Sequence, residues 1–406
     1  LKLLVLAPIF PDAPVDGDRL RLYHWLHELG SRHQIHLACF ADPARPADWG
    51  ASRLGSRLQA VHRVGLGRQR RRLAAGLRLG SQMPVNVSSM ASPAMAALVD
   101  RLSASGGFDA LLCYRLKMAP YGLRFRGPRV LDYTDSLTRY AERRSVALRL
   151  EGRRLAAAWW KRQARQSAAY EAFCAGHFDA GFFNSRQDCD AVRGMAPAFA
   201  DRLQVAANGV AQASRRPGRA GGASQDGQRI VFVGHLAYAP NAEALQWFIT
   251  QVLPLIRARR PQAQLQVIGG DAPAWLRALD GRPGVRFAGP VPDVAAALAG
   301  AALSVCPVRS GAGRQNKLLE AFAAGVPAVA TRWAAEGAEA VEGRDLLAAD
   351  SPAGFAAAAL RVLKQPALGR RLALGGRALV KRLYRWPANA RKLELTLKNA
   401  GHRAAW

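Results

Sequence analysis

The sequence predicts an α/β protein made of two parallel sheets, each wrapped by helices. Three observations carry this. The chain has 406 residues, half of them apolar, which is too long for one ordinary core and enough to bury two of about 200 residues each. Short apolar runs alternate with helical periodicity, the order that builds parallel strands joined by crossover helices. Between the two series lies ASRRPGRAGGASQDGQ, 213–228, poor in large apolar residues and rich in Gly, Ser and Arg, as a linker is.

In the first series, strands are expected at Leu3–Ala7, Ile35–Phe40, Ala110–Tyr114, Val130–Asp132 and Ala180–Asn184, with a helix near 19–30. The opening LKLLVLAPIFP could pass for a signal-peptide core. It has scarcely any basic residue ahead of it, meets Pro8 and Pro11 early and leads directly into the helix, so it reads as a first buried strand. The second series gives strands at Ile230–Val233, Leu265–Ile268, Val285–Ala288, Leu303–Cys306 and Ala328–Ala330. Two Rossmann-like domains follow, with ligand expected in a cleft at the carboxyl ends of the strands. The expected division is 1–210, a linker 211–228, a second domain 229–380, and a helical segment 381–406 crossing back to the first domain.

The five cysteines, Cys39, Cys113, Cys174, Cys189 and Cys306, are scattered and odd in number, as reduced thiols of a cytoplasmic protein would be. No apolar run reaches the roughly 18 residues that span a bilayer. Charge is the compositional outlier: 58 Lys and Arg against 29 Asp and Glu leave +29. Such a field favours nucleic acid, anionic lipid or phosphorylated substrates, and GC-rich coding would also produce it. The sequence has no helix-turn-helix, RRM or zinc-finger signature, so specific nucleic-acid recognition is not expected. Two basic segments, Gly67–Arg78 and Arg143–Arg165, read as helices. The second mixes Trp159, Trp160, Leu148, Leu150 and Leu155 with seven arginines and a lysine. It could be a solvated helix packing one face on its own domain, or a helix seated on an anionic membrane surface.

The densest chemistry lies in PVRSGAGRQNKLLEAFAAGVPAVAT, 307–331. A glycine-broken loop containing Gly311 and Gly313 runs from a buried strand into a helix that begins with Arg314, Gln315, Asn316 and Lys317 and carries Glu320 one turn on. Glycines let backbone approach a ligand, and the first N–H groups of a helix have no internal partner, so an anion is favoured there. A plain strand-to-helix turn gives the same pattern. GAGRQN also lacks the third glycine of a dinucleotide fingerprint and the GK[ST] of a P-loop.

The stretch from Asn316 to Thr331 resembles the donor-site helix of glycosyltransferase family 4, retaining enzymes of the GT-B fold. Other blocks fall in that family's order: DGDRLRLYHWLHELGSRHQIHLACF (16–40), VLDYTDS (130–136), FNSRQD (183–188), NGV (208–210), IVFVGHLAYAPNAEALQWF (230–248), LQVIGG (265–270), VRFAGPVPDV (285–294) and YRW (384–386). The QNK triplet, the YAPN segment and the late YRW look most like bacterial sugar transferases of the PEP-CTERM/exosortase exopolysaccharide system.

The resemblance implies two Rossmann-like domains facing each other across a cleft, and a hexosyltransferase-like activity. The sugar would pass from a nucleotide-sugar donor, a substrate rather than a cofactor, to a glycan or polyprenyl-linked acceptor. It places the donor diphosphate on Gly313, Arg314, Gln315, Asn316 and Lys317, the ribose on Glu320, and the base beside the backbone of Pro290 and Val291. Many members carry a second glutamate eight positions before the ribose-binding one, where this chain has Ala312. The arginine and lysine that commonly clamp the diphosphate after the first strand of the second domain are replaced around His235, with Arg309 or Arg314 available to supply the charge. On the acceptor side the resemblance points to Gly17, Asp132 and Asp135. Asp135 is the candidate acceptor-orienting group or base, and a cap on the next helix is its rival role. No metal set is visible among the eight scattered histidines and the acids, so the expected reaction is metal-independent. The expected location is cytoplasmic or peripheral on the inner face of the membrane. Alternatives are a nucleotide-sugar epimerase of the same fold and a basic, sequence-blind nucleic-acid-binding protein.

Overall fold

A computed structural model describes residues 1–11, 17–41, 54–65, 83–105, 107–210, 228–310 and 315–403. Two compact units result, one formed by Leu1–Asn208 with Trp386–Trp406 and the other by Gly209–Arg385.

The first unit is built on a seven-stranded sheet, wholly parallel: β1 (Lys2–Ala7), β2 (Gln34–Ala41), β3 (Ala60–Gly65), β4 (Ala110–Tyr114), β5 (Arg129–Thr134), β6 (Ala180–Phe183) and β7 (Leu203–Val205). Their spatial order is β3-β2-β1-β4-β5-β6-β7. Alternate side chains of one strand feed opposite faces, as the pleat requires. Leu4 and Leu6 of β1 join one core with Leu111, Cys113 and Leu131, while Leu3, Val5 and Ala7 join the other with Leu112, Tyr114 and Val130. Both faces are covered, which is why these strands read as continuous apolar runs. The second face is closed by the helices Gly17–Leu29 and Trp386–Arg403, through Leu22, Trp25, Leu26, Trp386, Leu393 and Leu397.

The second unit repeats the plan with β8 (Arg229–Val233), β9 (Gln264–Ile268), β10 (Val285–Gly289), β11 (Leu303–Cys306), β12 (Ala328–Ala330) and β13 (Leu347–Ala348), in the order β10-β9-β8-β11-β12-β13. In each sheet the chain steps outward to one side and then crosses to the other. The switch points lie between β1 and β4 and between β8 and β11, where open α/β sheets take ligands.

Three strands escaped the sequence reading: β3, β7 and β13. β7 and β13 have only three and two residues, and β3, an edge strand, carries His62 and Arg63 among its six. The basic stretch 143–165 is not one helix. Leu137–Leu150 and Arg154–His177 form a hairpin, because Gly152 adopts the left-handed φ of 76° that a side chain would resist. The boundary expected at 380 falls inside the helix Pro366–Leu383, and the segment that packs with the first unit starts at Trp386. The other basic segment, 67–78, and most of the linker lie outside the described residues.

Candidate functional site

Each unit gathers polar residues at the carboxyl edge of its sheet. In the first, β5 delivers Asp132 and ends on Thr134, a β-branched residue held at φ 68°. Asp132 is the fully buried centre of a network. Its Oδ2 accepts from Arg21 Nε at 2.8 Å and Trp25 Nε1 at 2.7 Å; its Oδ1 accepts from Arg21 Nη2 at 3.1 Å and the Thr134 amide at 2.9 Å. Arg21 also donates to Ala206 O and Asn208 Oδ1. Arg21 and Trp25 stand four residues apart on one helix, so they share a face and clamp the same carboxylate. Asp132, expected on the acceptor side, has both oxygens hydrogen-bonded and neither reaching solvent.

Asp135, three residues on, is placed differently. Ser136, not Asp135, caps the helix Leu137–Leu150 by accepting from the Arg139 amide, which removes the rival role. Asp135 lies 3.7 Å from Arg115 and keeps 21% of its side chain exposed, while its Oδ1 is buried without a hydrogen-bond partner. Burial pushes its carboxyl up to about 6, with Asp188 adding to the rise and Arg115 opposing it. A carboxylate with a free acceptor and a pKa near neutrality can take a proton from a hydroxyl. Arg115 was missed by the sequence reading. It immediately follows β4 at φ 75°, so two adjacent strands, β4 and β5, both end in left-handed non-glycine residues around this pair. Such strain persists where surrounding structure holds it, often at functional sites. Gly17 is the first residue of its helix, and the loop 12–16 before it lies outside the described residues.

In the second unit, Gly313 and Arg314 lie outside the described residues. Gln315 stands at the N-cap of the helix Asn316–Ala324 and accepts from Lys317 Nζ at 2.8 Å. The Oδ1 of Asn316 is buried without a hydrogen-bond partner. Burial lowers the pKa of Lys317 and raises that of Glu320, each partly offset by the other's charge. A half-buried cation in the first turn opposes the helix dipole and becomes favourable beside an anion.

The neighbouring strand ends converge on the same edge. His235 follows β8, with its Nδ1 3.5 Å from Asp271, which follows β9. The YAPN segment starts the helix Ala239–Trp247 and turns Asn241 inward to donate to His235 O at 2.9 Å. The two loops meet because Gly269 has no side chain: a Cβ there would sit 1.8 Å from Gly234 O. Arg309, after β11, lies over the ring of Trp247 at 5.3 Å. Val291, just past β10, packs beside Val231, Val233 and Ile268, so its backbone, not its side chain, is what a ligand could meet. Among the described residues no group of three or more His, Cys, Asp or Glu is placed to hold a metal.

Two Rossmann-like units of this strand order, each with its polar edge at the switch point, make a GT-B fold. Comparison with solved structures agrees: the chain resembles sucrose-phosphate synthase from Thermosynechococcus elongatus at 17% identity and TM-score 0.70, covering 98% of this chain and 99% of that one. Anabaena HepE, in complex with UDP and glucose, aligns at 16% identity and TM-score 0.63 over 98% and 99% of the two chains. A UDP-forming α,α-trehalose-phosphate synthase from Burkholderia xenovorans aligns at 13% and 0.64, over 98% and 99%. Residues 227–365, in the second unit, match the family described as Glycosyl transferases group 1. No curated protein matches the chain.

Proposed function

We propose that this chain is a retaining, metal-independent glycosyltransferase of family 4 that moves a sugar from a nucleotide-sugar donor to a glycan or polyprenyl-linked acceptor. Its setting would be exopolysaccharide or cell-surface polysaccharide synthesis, on the cytoplasmic side of a membrane. The observation that carries the reading is the half-buried Lys317 in the first turn of Asn316–Ala324, inside the stretch that matches the group 1 domain. A diphosphate at this helix end receives backbone N–H groups, the helix dipole and the Lys317 charge. Glu320, one turn deeper, accepts from the ribose hydroxyls, and the backbone at Val291 lies beside the base. Arg309 and His235 border the diphosphate.

On the acceptor side, Asp135 orients the attacking hydroxyl, and Arg115 holds that carboxylate in place. In a same-face displacement the acceptor oxygen bonds to the anomeric carbon as the diphosphate leaves. The proton passes to the leaving phosphate, with Asp135 assisting. The solved neighbour bound to UDP makes UDP-sugars the first donors to try. A thermal-shift panel of UDP-, GDP-, ADP- and dTDP-sugars tests the reading, since a ligand of the folded state raises its stability. One donor should stabilise the protein, and none doing so would overturn it. Product analysis with donor alone separates transfer from epimerisation, because an epimerase needs no acceptor.

A further inference from the structure

We propose that the tip of the helical hairpin 137–177 inserts into the surface of an anionic lipid bilayer. This deepens the membrane part of the reading above by naming the element that makes the contact. Leu150 and Leu155 are 85% and 90% exposed, more than any other large apolar side chain among the described residues. Val146 and Trp159 are also exposed, at 60% and 39%. The four form two pairs at i,i+4 spacing, Val146 with Leu150 and Leu155 with Trp159, so each pair occupies one helix face next to the turn. Singly exposed leucines are ordinary. Four such groups bracketing one turn are not.

The inner side of the hairpin is well built, so these residues are not leftovers of a loose core. Leu148 is buried, Trp160 packs edge-on to Tyr140 at 5.4 Å, and Ser145 Oγ donates to Ala157 O at 2.8 Å. Gly152 reverses the chain at the tip.

Charge then selects the partner. Residues 143–165 carry seven arginines and one lysine against a single acid, Glu151, which lies 3.7 Å from Arg153. Arg149, Arg153, Arg154, Lys161, Arg162 and Arg165 are all exposed. Their aliphatic stems can lie along the acyl boundary while the charged heads meet lipid phosphates. Nucleic acid would use the cations and could stack a base on Trp159, but would gain nothing from Val146, Leu150 and Leu155. A bilayer interface uses both.

The test is cosedimentation of the whole protein with vesicles of phosphatidylcholine alone or mixed with phosphatidylglycerol. An environment-sensitive dye on Ala158→Cys reports insertion, because all five native cysteines are buried. Wild type should bind only the anionic vesicles, with a blue-shifted dye. Leu150→Ser with Leu155→Ser should weaken partitioning about tenfold or more. Arg149→Glu, Arg153→Glu and Arg154→Glu together should abolish it at about 0.1 M salt. Thermal melting on the same samples confirms folding.

Failure of wild type to bind either vesicle overturns the proposal. So does unchanged binding of the double serine variant with a silent dye, which would mean adsorption by charge alone. Binding of RNA or an acidic protein at the tip, with no response to vesicles, overturns it too. Donor binding measured in parallel separates the readings: intact donor binding without vesicle binding sinks only this proposal, and the reverse result sinks only the transferase assignment.

Discussion

The two sheets share a strand order yet spend their charged residues in opposite ways. In the first unit a carboxylate and a guanidinium are sealed inside the fold, Asp132 and Arg21, with Trp25 and Thr134 saturating the acid. In the second, the polar groups of the candidate site, Lys317 and Glu320, sit on the outgoing helix at the sheet edge, and the core beneath is apolar. A buried ion pair is costly to form and worse to break on one side, so it ties β5 to the first helix without being available to a ligand. A half-buried pair on a helix end leaves its charge to be satisfied by whatever binds. Charge at a strand's carboxyl end therefore means scaffold or site according to how many partners it already has.

The largest expected effect breaks the scaffold. Asp132→Ala leaves Arg21 buried and unpaired and should cost about 3–5 kcal/mol of stability by chemical denaturation. A loss under about 1 kcal/mol would mean that water reaches the pair.

Asp135→Asn, three residues away, should do the reverse. Transfer should slow on the order of 100-fold while the melting point and donor affinity hold, because Ser136 supplies the helix cap. The wild-type rate should rise with pH through about 6, the point to which burial moves this carboxyl, since the base acts when deprotonated. A flat profile from pH 5 to 8, or a variant slowed less than about 3-fold, would remove Asp135 from the chemistry.

In the second unit, Glu320→Ala should weaken donor binding by about 1.5–3 kcal/mol, the range for one charge-assisted hydrogen bond, with little change in stability. Calorimetry on the folded variant that returned wild-type affinity would place the ribose elsewhere.

A last test sharpens the contrast through pH. Glu171 is wholly buried, where it accepts from the Leu137 amide and the Ser136 and Thr138 hydroxyls. Burial nonetheless raises its carboxyl to about 7. The folded state thus binds the proton more tightly than the unfolded one. Stability from Glu171 is full below about pH 4 and is lost as pH rises toward 7. Denaturation midpoints across that window should fall with rising pH, and Glu171→Gln should flatten the trend. An equal slope in the variant would assign the trend to other groups.

The buried strands were legible because they are covered on both faces and so appear as unbroken apolar runs, as KLLVLA does in β1. The edge strands β3, β7 and β13 were not, since short or polar-flanked segments lose that mark. The proposed donor-side residues could be named as candidates from the sequence because most of them lie together in one helix start. Arg115 and Asp135 are 20 positions apart, and only the pairing of β4 with β5 brings their strand ends together.

The sequence by itself determined the two-domain α/β plan and the helix that follows the fourth predicted strand of the second unit, because both are local patterns of periodicity and spacing. Tertiary structure alone decided which of two nearby aspartates is saturated with hydrogen bonds and which keeps an unpartnered oxygen. Asp132 and Asp135 stand in one short segment, VLDYTDS, and differ in what the fold packs against them. Arg21 and Trp25 arrive from a helix more than a hundred residues earlier to saturate the first, while Arg115 only approaches the second. Hydrogen-bond saturation and burial are properties of contacts between distant segments, and no window along the chain contains them.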